Sequence, residues 1–148
     1  MFKKWMFLIC ILSLVGCSNQ GPMKSGFGPV ETPKYIELLK KDLIASDESV
    51  LVYSESVFAE GLYGYFGALI LTDQQLIFAE WDNNSYEYRP IYSTLLVDIV
   101  DVEECNPLAA SISLIGKVFC VYTEGKSVSF ATEKYKQYLY LIDKNTRS

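Results

Sequence analysis

The chain has 148 residues, 50% of them apolar, and carries 13 Lys and Arg against 18 Asp and Glu for a net charge of −5. That length favours one domain with tails, and that apolar share is enough for a core. Histidine is absent, which removes the usual general base, the commonest zinc ligand and the usual proton switch near neutral pH; the acidic balance is a poor match for nucleic acid or an anionic membrane surface.

Residues 1–16 read as a targeting segment. Lys3 and Lys4 form a basic start, and residues 5–15 form an apolar run too short to span a bilayer, which needs roughly 20 residues. Leu14-Val15-Gly16-Cys17 follows and resembles a bacterial lipobox. The resemblance implies cleavage before Cys17, a diacylglycerol on its thiol and an acylated new N-terminus. Several acyl chains, at about 0.8 kcal/mol per buried methylene, hold a protein stably on a bilayer. Removal of residues 1–16 takes Lys3 and Lys4 with it, so the mature chain is more acidic still, and attachment is expected from the lipid and not from surface charge. Ser18 after the lipid-bearing Cys is the pattern that the resemblance implies for the outer membrane of a diderm envelope; in a monoderm cell it implies the outer face of the only membrane. Residues 17–32, with Gly21, Pro22, Gly26, Gly28 and Pro29, read as the lipidated Cys and a flexible tether.

Residues 32–45 predict a helix, with Thr32 as cap, Pro33 at its first position and Ile36, Leu39 and Leu43 on one stripe. Residues 50–58 predict a strand. The stretch from Phe66 to Phe78 reads as a hairpin: a β-rich run to Thr72, a tight turn in which Asp73 bonds to the backbone ahead, and a return run from Leu76. Asn83-Asn84 reads as a two-residue turn into a fourth strand over 85–92, where Pro90 marks an edge or a bulge. A fifth strand is expected over 97–104, a loop over 106–117, a sixth strand over 118–123, a turn at 124–126 and a seventh strand over 127–131. A helix over 133–144, capped by Thr132, closes the chain with Tyr135, Tyr138, Leu139 and Ile142 on one face.

Cys10 leaves with the targeting segment and Cys17 takes lipid, so Cys105 and Cys120 remain. Export would permit a disulfide between them. Strands paired across the loop between them would put the two several rungs apart, too far for a bridge unless the register differs, and the expectation is two buried, unbridged thiols acting as small apolar residues.

The order of seven short strands and one amphipathic helix is that of a pleckstrin-homology-like (PH-like) fold. Leu69-Ile70-Leu71-Thr72-Asp73-Gln74-Gln75-Leu76-Ile77-Phe78 resembles the Leu-x-Leu-Thr-Asp-x-Arg-Leu-Ile-Phe hairpin of bacterial PH-like and GRAM-like domains. Leu96 to Val102 resembles their Leu-x-Asp-Ile-x-x-Val strand entry, and Gly125 to Phe130 their late Gly-Lys-x-x-x-Phe hairpin. Gln75 departs from the pattern, which often has Arg or Lys there, on the surface. The resemblance covers residues 50–143 and implies a mainly β domain over 33–148: a seven-stranded antiparallel barrel or sandwich, with a preceding helix and a C-terminal helix plugging one end.

Phosphoinositide recognition, the best-known PH activity, needs several cations in the first hairpin. Residues 56–72 contain Glu60 and no Lys or Arg, so that activity is not expected. Tyr63, Tyr65, Phe66, Tyr88 and Tyr92, with Tyr86, cluster at strand ends. They read as a contact surface for a protein or apolar ligand, with cross-strand packing as the bland alternative. The apolar segment 109–115 has the same two readings, a contact or a cover for the barrel. Asp98, Asp101, Glu103 and Glu104 lack calcium-site spacing and read as a solvated strand face. No Gly-x-Ser-x-Gly elbow is present, so no catalytic, metal or cofactor residue is expected. The function expected is a lipid-anchored envelope protein that binds or scaffolds another envelope protein. The competing reading is a carrier or sensor of an apolar ligand held inside the barrel.

Overall fold

Two runs without alternation, Gly67 to Leu71 and Leu76 to Ala79, set the architecture, because a strand apolar at every position must be covered on both faces. The computed structural model describes residues 33–60, 63–82, 84–85, 87–106 and 116–146. The targeting segment, Cys17, the tether and the loop 109–115 lie outside them, as does Tyr86. Helix α1 (Pro33–Leu43) precedes β1 (Val50–Glu60), β2 (Tyr63–Thr72), β3 (Gln75–Asp82) and β4 (Glu87–Leu95). A 3-10 turn (Leu96–Asp98) leads into β5 (Ile99–Glu104), β6 (Lys117–Thr123), β7 (Lys126–Thr132) and helix α2 (Tyr135–Thr146). All pairings are antiparallel, in the order β4-β3-β2-β1-β7-β6-β5.

The doubly apolar hairpin is covered twice. Leu69, Leu71, Leu76 and Phe78 point into the main core with Phe58, Phe119, Phe130, Tyr138 and Ile142. Ala68, Ile70, Ile77 and Ala79 point the other way, under Leu39 of α1. At about 25 cal/mol per Å² of apolar surface, each large side chain so covered contributes roughly 1.5–3 kcal/mol. Gly67 fits this crowding: a Cβ there would run into the Ala79 carbonyl and the Phe78 ring across the pair.

Helix α2 caps the core from below. Its Tyr138 hydroxyl donates to the Leu69 carbonyl oxygen (2.7 Å) and shares a hydrogen bond with the Ser54 hydroxyl (3.1 Å), which is in turn 2.8 Å from the Thr132 hydroxyl. One buried network therefore ties β1, β2, β7 and α2 together, and each group in it is satisfied. The helix begins at Tyr135, later than expected, and Thr132 ends β7 and does not cap it; its Oγ1 instead accepts from the Lys134 N–H at 3.3 Å in the turn that leads into the helix.

Five further departures from the sequence expectation concern the turns, Gln75 and the cysteines. Thr72, not Asp73, organises the β2–β3 turn: its Oγ1 accepts from the Gln74 and Gln75 N–H groups. Asp73 instead accepts from the Ser49 N–H (3.0 Å) and docks the α1–β1 corner. The β3–β4 connection runs over 83–86, longer than an Asn83-Asn84 turn, because the Asp82 carboxylate captures the Asn84 N–H at 2.7 Å before the chain can reverse. The 3-10 turn over 96–98 takes up residues 97 and 98, where the fifth strand was expected to begin. Gln75 is half-buried, not on the surface, with its Nε2 donating to Glu48 Oε1 at 2.8 Å.

The fifth difference is covalent. Cys105 and Cys120 form a disulfide, with Cα atoms 5.7 Å apart. Glu103 pairs with Cys120 and Glu104 with Phe119, while the Cys105 N–H donates to the Val118 carbonyl. The two Cys residues are thus diagonal neighbours, two positions apart on adjoining strands, which side chains can bridge. The expectation of several rungs overestimated that offset.

Pro90 sits where the sequence placed it. It lies on the edge strand β4, and the register shifts between Phe78 and Ala79, opposite Tyr92 and Pro90, so Ile91 bulges.

Candidate functional site

The aromatic residues singled out at strand ends do not form one surface. Tyr88 is a correction: it is only 2% exposed and packs beneath α1 with Leu39, Ile70 and Ile77, edge-on to Trp81 at 5.0 Å. Its hydroxyl is held far above the usual tyrosine range by burial and by the Asp42 charge. Phe66 faces a third cluster, with Val57, Ala59, Val118, Ala131 and Cys105. Tyr65 and Tyr92 each lie against Phe58 at one end of the barrel, Tyr65 tilted at 6.0 Å and Tyr92 stacked at 5.4 Å. The Tyr63 side chain is outside the described residues.

From that end a column of rings runs through the interior. Phe58 touches Phe78 (5.3 Å) and Phe130 (5.4 Å); Phe130 touches Phe119 (5.5 Å); Phe119 stacks on Tyr138 of α2 (5.7 Å). Offset and tilted rings at these distances pack favourably. The interior is therefore occupied by the chain's own side chains.

Among the described residues, two open clefts lie outside the core. One, about 300 Å³, runs between α1, the start of β1 and α2, lined by Ile36, Lys40, Tyr53, Lys134 and Gln137. Lys134 Nζ donates to the Tyr53 carbonyl (2.8 Å) and sits over its ring. The other, about 390 Å³, lies beside the β3–β4 connection and includes Trp81, Asp82, Arg89 and Ile91. There the Asp82 carboxyl is held below its usual range, first by the Asn84 N–H and then by Arg89 at 2.7 Å.

The strands carry three basic residues, and each is paired. Arg89 meets Asp82 and Glu87, Lys117 meets Glu104 at 2.9 Å, and Lys126 meets Glu60 at 2.8 Å while lying over the Tyr92 ring. Pairing with their carboxylates raises the Lys117 and Lys126 pKa values, so both stay charged. Multiple unpaired cations converging on one point, which phosphate recognition uses, are not found among these strand residues.

The remaining feature is the sheet's two free edges. On β4, the Tyr88 N–H donates to Asp42 Oδ2 of α1 (3.1 Å), and Pro90 has no N–H to offer. On β5, Val100 is 74% exposed, and Val97 in the preceding turn is 86% exposed. Val100 bulges at a register shift between Ile99 and Asp101. The acids beside it are already engaged: Glu103 accepts from the Tyr122 hydroxyl (2.8 Å) and Asp101 from the Val102 N–H (2.9 Å). The β4 edge was legible from Pro90. The β5 edge was not, and the signal that could have found it was a pair of valines in an acidic strand.

No protein-family model matches the sequence, and no curated protein matches it. Solved structures do resemble it. The C-terminal domain of an unknown protein from Leishmania infantum matches with a TM-score of 0.50 at 14% identity, over 68% of this chain and 86% of that one. The linker-DH/PH domains of p115-RhoGEF match with a TM-score of 0.54 at 14% identity, over 79% of this chain but only 34% of that longer one. The fold is PH-like. The Slm1 PH domain in complex with phosphoserine also aligns, with a TM-score of 0.46 at 16% identity over 66% of this chain and 93% of that one. At these identities the likeness is one of fold, and phosphoserine is a ligand of Slm1.

Proposed function

We propose that the chain is a lipid-anchored, non-catalytic binding module: a PH-like domain held outside the cytosol by acyl chains on Cys17, where it engages another envelope protein. The column of rings from Tyr65 to Tyr138 carries this reading, because a barrel filled by its own side chains leaves its surface as the place to bind. That weighs against a carrier of an apolar ligand, which needs an enclosed apolar pocket of a few hundred Å³. The Cys105–Cys120 bridge supports the oxidising location, since disulfides are rare in a reducing cytosol. The lipobox-like Leu14-Val15-Gly16-Cys17 supports the anchor. Outer-membrane placement in a diderm envelope rests on Ser18 alone.

A phosphorylated headgroup is not part of this reading, because Arg89, Lys117 and Lys126 are each neutralised by a neighbouring acid. Detergent-phase partitioning tests the anchor. The full chain is expected in the detergent phase and the Cys17→Ser chain in the aqueous phase; equal partitioning of both removes the anchor. Mass spectrometry of the purified chain tests the module: a stoichiometric bound lipid, apart from that on Cys17, would move the assignment to the carrier.

A further inference from the structure

We propose that the cleft between α1, the start of β1 and α2 is the seat of the chain's own arm, residues 27–31, and that this docking turns that end of the domain toward the bilayer. The docking needs no lipid; only the orientation rests on the Cys17 anchor.

The cleft exists because β1 outruns its neighbour. Strand β7 pairs with β1 at Val57, Phe58 and Ala59, and the chain then leaves the sheet after Thr132 for α2. The first half of β1 runs on between the two helices. Helix α1 contributes Ile36 and Lys40, which share one face at a spacing of four. The entry to α2 contributes Lys134 and Gln137, and β1 contributes Leu51 and Tyr53. The outcome is an apolar surface flanked by two ammonium groups, on a chain that is acidic overall. Lys134 is engaged by the Tyr53 carbonyl and ring. Lys40 is exposed and forms no ion pair among the described residues.

The occupant follows from where the chain comes from. It enters α1 at Pro33, three positions before Ile36. An extended chain spans at most about 3.3–3.6 Å per residue, so residues 27–32 reach roughly 20 Å. That suffices to carry Phe27 across a cleft of about 300 Å³. The arm reads Phe27-Gly28-Pro29-Val30-Glu31. Phe27 and Val30 suit the surface made by Ile36, Leu51 and the Tyr53 ring. Gly28-Pro29 favours a bend over a continued helix, and the Glu31 carboxylate complements Lys40 and Lys134. Attachment at Pro33 also keeps the arm at a high effective concentration, an advantage that no external ligand shares.

Seating residues 27–31 leaves 17–26 between Cys17 and the domain, a span of at most about 35 Å. The α1–α2 end then lies nearest the bilayer. The Tyr65–Tyr92 end, at the other end of the column of rings, points away from it.

Photo-cross-linking of the full chain in detergent micelles tests this, with Phe27→p-benzoylphenylalanine as the probe and peptide mass spectrometry as the readout. Cross-links within one chain to residues 36–40, 50–53 or 134–137 are expected, at a yield independent of protein concentration. Glu31→Lys should lower that yield at least threefold, and Lys40→Glu added to it should restore most of the loss. The same cross-links are expected in the Cys17→Ser chain. Three results would overturn the proposal: no cross-link to those residues; cross-links only between chains, read from a mixture of isotopically light and heavy protein; or a yield indifferent to both charge reversals. None of them bears on the Cys17 anchor, and loss of the anchor in the partitioning experiment would remove the orientation while leaving the cross-links in place.

Discussion

The two edges of one sheet are finished in different ways. At β4 the edge is closed from within: Asp42 of α1 takes the Tyr88 N–H, Pro90 has none, and Ile91 bulges out of register. At β5 the strand is held from behind. The Cys105–Cys120 bridge fixes its far end to β6, Val102 and Glu104 turn their backbone away from β6, and Val100 bulges at a register shift. A seven-stranded sheet whose end strands are not bonded to each other must manage two such rows of groups. This chain sets a helix carboxylate on one row and a covalent staple behind the other.

The largest expected effect comes from removing the staple. Cys105→Ser with Cys120→Ser opens a closed loop with a sequence separation of 15, and chain-entropy bookkeeping puts the loss at about 3 kcal/mol. Urea unfolding of the double variant should show it, as should the parent chain in reductant. Native-state exchange should quicken at residues 99–104 and not at 87–95. Equal exchange along both edges would mean that the bridge stabilises the domain as a whole and does not hold β5 in particular.

Next in size is the closure of β4. The Asp42 side chain is only 8% exposed, so Asp42→Ala strands the Tyr88 N–H away from water, at a cost of about 1–3 kcal/mol. Asp42→Asn keeps an acceptor and should restore most of the loss. The 3.8 Å contact between Asp42 and Lys41 contributes little, since that lysine is largely solvated. If Asp42→Asn is as unstable as Asp42→Ala, the negative charge matters and the backbone bond does not.

The strand order, the capping helix and the central hairpin were legible because each is written in apolar periodicity. The absence of alternation from Gly67 to Leu71 means that the hairpin's outer face must be covered, and only the structure shows that Leu39 of α1 covers it. What stayed hidden depends on register. The disulfide follows from Cys105 lying opposite Val118, a two-position offset that no local propensity encodes. Tyr88 looked like surface because strand alternation gives a face without saying what lies over it, and here Leu39 and Asp42 arrive from 46 or more positions upstream. The swap of roles between Thr72 and Asp73 is of the same kind. Either side chain can serve the turn, and the docking of Ser49 decides which one does.

The smallest effect concerns the one position where the chain departs from the hairpin pattern it resembles. Gln75 Nε2 donates to Glu48 Oε1, but Glu48 Oε2 is buried with no hydrogen-bond partner among the described residues. A buried acceptor left unmet lowers stability. Gln75→Arg offers a planar fork to both oxygens and should raise stability by about 1 kcal/mol, read as a higher urea midpoint at unchanged slope. The gain should disappear in Glu48→Gln, where there is no charge to match. It should also leave both edges untouched, because the corner that Gln75 supports, residues 44–49 against the β2–β3 turn, bears on neither row of outward groups. A Gln75→Arg chain no more stable than the parent would mean that solvent already reaches Oε2, and that glutamine there carries no penalty relative to the arginine of the pattern.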